Sequence, residues 1–141
     1  MEPRLRARLV FHGAVVVMLG LLAGFPHAFV LTGQIAGEER AWRMAHLEGL
    51  LNGMLMMGSA AVAGSLVLSP RQWTWLVWSL VAAGYGNVVA SVLGATFGVR
   101  GLALAAPPAN MIMNVLFWVA IGGILAGVGL VIVGARNAAR R

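Results

Sequence analysis

The chain has 141 residues, 60% of them hydrophobic and 10% charged, and no cysteine. That balance is too apolar for a soluble domain of this length and reads as an integral membrane protein, while the missing cysteines exclude disulfides, thiolate metal sites and cysteine nucleophiles. The net charge of +6 does not point to nucleic acid, because the arginines gather at the ends of apolar runs, where they anchor to lipid headgroups and set orientation.

Four apolar segments, each long enough at about 20 residues to cross a bilayer as a helix, use nearly the whole chain. The expected fold is therefore all-α, an integral membrane four-helix bundle forming a single transmembrane domain over residues 1–141. The first span, 9–31, follows Arg4, Arg6 and Arg8 and resembles a signal peptide at its start. It continues past Pro26 and His27, well beyond a typical apolar core of about 7–15 residues, so an uncleaved span is expected. Residues 32–43 form a loop with Glu38, Glu39 and Arg40 at its tip, and Trp42 belongs at the interface.

The second span is expected over 44–68, followed by a tight turn at Ser69-Pro70-Arg71-Gln72. The third, 73–97, opens on Trp73, Trp75 and Trp78 as an aromatic belt. A second loop, 98–109, holds Arg100 and Pro107-Pro108, and the fourth span, 110–134, ends in Arg136, Arg140 and Arg141. An even number of spans puts both termini on the same side. Seven of the ten arginines then lie with the termini and the Arg71 turn, against Arg40, Arg43 and Arg100 opposite. The positive-inside rule places both termini in the cytoplasm.

The stretch from Trp42 to Met57 carries the most chemistry, since it sets His46, Glu48 and Asn52 inside an apolar run where lipid tolerates such groups poorly. On a helix Leu50 and Gly53 lie within about 40° of His46, and Gly49 within about 60°, so one side of the imidazole has small or smooth neighbours that could admit a flat ligand. Asn52 points about 120° away and addresses a different surface. Neutral imidazole is a common axial ligand of haem iron, and the competing reading is a histidine bonded to a backbone carbonyl. His27 lies at a similar depth near the outer end of the first span, which makes a bis-histidine haem geometrically possible. His12, near the inner end, belongs at the interface.

Glu48 reads as an interfacial anchor before it reads as a proton relay, with a cross-helix partner expected because Arg43 points about 140° away. Asn52, Asn87, Asn110 and Asn114 read first as helix-to-helix glue. The methionines Met54, Met56 and Met57 look like packing.

The residues Ala45-His46, Gly49 and Leu51-Asn52-Gly53-Met54, with Gly84, Asn87-Val88 and Arg100-Gly101-Leu102, resemble the styrene oxide isomerases, small four-span bacterial membrane proteins. The resemblance extends faintly to His12-Gly13 and covers most of the chain. It implies a protein of the bacterial inner membrane, a homotrimer binding haem b between protomers, with His46 as the ligand of the iron. Gly49, Leu50, Gly53 and Asn87 would lie in the cofactor site, and Asn52 near the open iron face would act in catalysis. The implied substrate is a small apolar aryl epoxide, converted to an aldehyde by Lewis-acid ring opening and a 1,2-hydride shift. The family has an acid where this chain has Ala83 and a tyrosine where it has Ser91. Tyr85 lies about 160° around the helix from Asn87 and is a poor direct substitute. Two other functions compete: a haem-binding membrane protein for electron transfer or sensing, and a non-enzymatic helical assembly.

Overall fold

The structure, a computed structural model, describes residues 1–141. It consists of four long helices, α1 (Pro3–Leu31), α2 (Glu39–Ala61), α3 (Pro70–Phe97) and α4 (Pro108–Ala138), with one short 3-10 helix at Val62–Ser65. There are no strands, in agreement with the all-α expectation.

Local chemistry accounts for where these helices start. Pro3, Pro70 and Pro108 each open a helix, a position where the missing N–H has no helical partner to lose and the fixed φ suits the first turn. At α3 a capping box adds to this: the Gln72 backbone N–H donates to Ser69 Oγ, and the Ser69 N–H donates to the Gln72 side chain at 2.8 Å. Residues 69–72, expected as a tight turn, are thus the cap and first turn of α3. That helix ends at Gly98, whose φ of +64° lies in the left-handed region that glycine enters without strain.

The second span differs most from the expected 44–68. Its α-helix begins at Glu39 and stops at Ala61, and after the 3-10 turn Leu66 is extended. Here the end of α4 competes for the backbone: the Val67 N–H donates to the Gly134 carbonyl at 3.0 Å, and the Val67 carbonyl accepts from Asn137 Nδ2 at 3.1 Å. Three helices, α1, α3 and α4, are long and apolar enough to cross a membrane. By contrast α2 carries Glu39, Arg40, Arg43 and Glu48 in its first half.

α3 is the central helix, packed on α1, α2 and α4, with 56% of its most apolar stretch buried against 17% for α1 and α4. Leu9, Val16, Met56, Trp73, Leu76 and Leu80 make the core. Met1, Leu5 and Leu68 pack against it, so the start of the chain, the 66–69 connection and the end of α4 share one end of the bundle. Phe11, Phe25, Leu51, Met54, Trp118 and Leu125 face outward, a surface suited to hydrocarbon.

Glycines decide how closely the helices approach. A Cβ on Gly49 would overlap the Gly20 backbone, and one on Gly53 would stand 2.5 Å from the Gly13 carbonyl oxygen, so α1 and α2 meet main chain to main chain. On the other side of the molecule Asn110 and Asn114 hold the 98–107 loop. Asn114 Nδ2 donates to the Gly101 carbonyl at 2.7 Å, and the Gly101 N–H donates to Asn110 Oδ1 at 2.8 Å. These two asparagines, expected to join helix to helix, therefore position the loop that carries Arg100.

Candidate functional site

Two chemically distinct surfaces lie on opposite sides of α2. On the first, His46 Nδ1–H donates to the Gly20 carbonyl of α1 at 2.8 Å. A carbonyl can only accept, so this bond fixes the tautomer and leaves the Nε2 lone pair free. Gly24 makes room for the ring, because a Cβ there would stand 3.0 Å from Nδ1. A half-buried imidazole oriented through Nδ1 has the donor chemistry of a metal ligand at Nε2, such as an axial ligand of haem iron.

The other residues expected beside His46 divide. Gly49 and Gly53 are buried against α1, where their small size serves the close helix contact that glycines in this span also suggest, and α1 covers the face that was expected to admit a flat ligand. Leu50 stays half-buried. His27 stacks near His46, with ring centroids 6.4 Å apart and planes at 21°. Its Nε2–H donates to Glu39 Oε1 at 3.0 Å, so that nitrogen is already engaged. This hydrogen bond is the main cause holding the Glu39 carboxyl below its ordinary pKa, with Arg43 3.7 Å away adding attraction.

On the opposite side of α2, Asn52 is 5% exposed and fully engaged. Its Nδ2 donates to the Glu48 main-chain carbonyl and to Glu48 Oε2, both at 2.9 Å, and its Oδ1 accepts from Asn87 Nδ2 of α3 at 3.3 Å. Glu48 therefore reaches along its own helix to an inward amide, not to a cross-helix partner. The i, i+4 spacing of Glu48 and Asn52 was visible in the sequence and could have signalled the pair. Glu48 also lines a cleft of about 480 Å³ between α2, α3, α4 and the second loop, together with Met44, Ser91, Arg100, Met113 and Phe117. A second, almost wholly apolar groove of about 390 Å³ runs between α1 and α3 under Trp42.

A family model described as styrene oxide isomerase matches residues 5–136. The chain belongs to the styrene oxide isomerase family. Among curated proteins, none matches it significantly. As a member of an isomerase family, the chain is notable for Ala83, which is buried with its Cβ facing Gly123 of α4. An acid at that point would be driven into the α3–α4 contact. Ser91 is also buried but lines the cleft one helical turn beyond Asn87. His12, expected at the interface, instead bonds through Nδ1 to the Tyr85 hydroxyl at 3.1 Å and lies beside Trp78. α1 begins at Pro3, six residues before the expected span, so His12 lies in its third turn, half-buried against α3.

Proposed function

We propose that this styrene oxide isomerase family member is a haem b-dependent isomerase that converts aryl epoxides to aldehydes. The observation that supports it most is the Nδ1–Gly20 bond, which leaves His46 Nε2 as a ready ligand for iron on one side of α2, while on the other side Asn52 pairs with Asn87 and Glu48 lines a cleft. Bound at His46, haem iron would supply a Lewis acid for an epoxide oxygen. α2 crosses the bilayer with the other three helices, and protomers form a trimer with haem between them. This arrangement uses both surfaces of α2, His46 from one protomer and the Glu48 side from a neighbour. The arginine distribution supports cytoplasmic termini, and the family supports a bacterial inner-membrane protein.

The reaction is a redox-neutral rearrangement. The benzylic carbon–oxygen bond of the epoxide breaks, a hydride moves to the carbon that the aryl ring can stabilise, and the oxygen becomes the aldehyde carbonyl. Asn52 and Asn87 orient the oxygen, and Met44, Met113 and Phe117 keep water from trapping the opened substrate as a diol. Purified, haem-loaded protein incubated with styrene oxide is expected to form phenylacetaldehyde above a free-haem control, under at least one of oxidising and reducing conditions. A blank in both, repeated over related epoxides, would overturn this reading.

A second reading, a haem protein for electron transfer or sensing, is favoured by Ala83 and Ser91, where the family's acid and tyrosine are missing. It predicts haem with no epoxide turnover.

A further inference from the structure

We infer that Arg40 and Arg100 make the mouth of the cleft a carboxylate site, and that the preferred substrate is an aryl epoxide carrying a carboxylate on the far side of its ring. The epoxide half of this inference rests on the isomerase reading above. The carboxylate site does not.

The cleft wall mixes apolar residues with Glu38, Arg40, Glu48, Ser91 and Arg100, whereas styrene oxide, an apolar ring with one oxygen, offers no charge to a guanidinium. The two arginines come from different elements, Arg40 from the first turn of α2 and Arg100 from the second loop, and neither forms an ion pair. Both ion pairs in the protein use Glu39, which His27 and Arg43 engage away from the cleft wall. Of the carboxylates that do line the cleft, Glu48 lies two turns along α2 from Arg40, about 12 Å by the helical rise. Its Oε2 is engaged, accepting from Asn52 Nδ2 at 2.9 Å. Glu38 is exposed and pairs with neither arginine. One free carboxylate against two guanidiniums leaves the mouth net positive.

Arg100 stands on a fixed backbone. The N–H of the Arg100–Gly101 peptide donates to Asn110 Oδ1 at 2.8 Å, and the Gly101 carbonyl accepts from Asn114 Nδ2 at 2.7 Å. Asn110 Nδ2 also donates to the carbonyls of Ala103 and Ala105, at 2.8 and 3.0 Å. Gly101 has φ +63°, and Met113 occupies the place of its missing Cβ. An arginine that only meets lipid headgroups reaches them on its flexible stem and needs no such support. Guanidinium forks match a carboxylate in shape and bind it more strongly than a neutral acceptor. Met44, Met113 and Phe117 add apolar surface for a ring in the same cleft. A para-substituted ring serves both demands, with the carboxylate at one end and the epoxide at the other. The reaction leaves the carboxylate untouched: 4-(oxiran-2-yl)benzoate becomes 4-(2-oxoethyl)benzoate, of the same composition, with no oxidant or co-substrate.

The test uses purified full-length protein in a neutral detergent, with 4-ethylbenzoate and 4-ethylbenzamide as unreactive probes that differ in charge at one end. Calorimetric titration is expected to give 4-ethylbenzoate a Kd about tenfold lower, the worth of one charge-assisted bond. Arg40→Gln and Arg100→Gln should each remove most of that difference, and Arg100→Lys should keep part of it. Equal binding of the two probes to the wild type overturns the inference whether or not any variant folds. A difference that survives both glutamine substitutions overturns the assignment to these arginines. Variants purified with less haem than the wild type assign the arginines to the cofactor's own carboxylates and overturn the substrate class. Binding of phosphatidylglycerol with no preference between the probes assigns them to lipid headgroups and overturns the site. Where styrene oxide is turned over, 4-(oxiran-2-yl)benzoate should show a kcat/KM about tenfold higher, and both glutamine variants should lose that advantage through KM. Turnover without the advantage overturns the substrate class alone. A carboxylate preference with no turnover of either epoxide upholds the site and overturns the isomerase reading.

Discussion

His46 donates its Nδ1–H to the Gly20 carbonyl at 2.8 Å, one helical turn from the point where Gly20 and Gly49 bring the backbones of α1 and α2 into contact. The close approach makes the bond possible, since a larger residue at either glycine would push the carbonyl out of reach. The orientation of a candidate iron ligand is thereby tied to helix packing.

Replacement of His46 by alanine is expected to abolish the Soret band of the purified protein, while His27→Ala retains most of the haem. Pyridine haemochrome content of the two variants checks this. Normal haem in His46→Ala would reject His46 as the ligand.

Gly49→Val should separate α1 from α2, because its Cβ has nowhere to go but into the Gly20 backbone. Overpacking of this kind costs about 1–3 kcal/mol or more. Thermal unfolding in detergent should show the loss, whereas Gly58→Ala, at a position with nothing within 4 Å, should show almost none.

The acid stability limb should depend on Glu39. Its carboxyl is held below the ordinary value chiefly by the His27 hydrogen bond, so the native state favours the ionised form. Stability from this contact is fully present above the unfolded-state value and is lost as pH falls through the lowered native value. Glu39→Gln should therefore lower Tm at neutral pH and converge on the wild type in acid. A constant Tm difference at every pH would contradict the linkage.

Asn114→Ala leaves the Gly101 carbonyl without its partner at a buried point, which should cost about 1–3 kcal/mol. The 98–107 loop should also become more sensitive to limited proteolysis, since Asn114 and Asn110 together hold it.

Native mass spectrometry of haem-loaded protein is expected to show a trimer. Gly122 and Gly129, which share one face of α4 and meet nothing within 4 Å, are open to a neighbouring chain. Haem-loaded monomers alone would contradict a site between protomers.

Much of this was determined by the sequence on its own. Composition and the length of the apolar runs required helices, because only they satisfy every backbone polar group within one segment in lipid. The pattern around His46 and Asn52 pointed to the family, and the spacing of those two residues put them on different sides of one helix, because an angular offset is a property of the helix alone. The tertiary structure decided which neighbour each side meets. Gly49 and Gly53 suited both a ligand face and a helix contact, since a small residue leaves the same space for a cofactor or for another backbone, and the structure uses them as the contact with α1. Glu48 looked like a surface anchor and proved to hold Asn52, and His12 found Tyr85, 73 residues away. Spacing along one helix can be read from a single strand of residues. Which acceptor completes a hydrogen bond depends on the depth and rotation of the neighbouring helix, and those are set only when all four helices pack together.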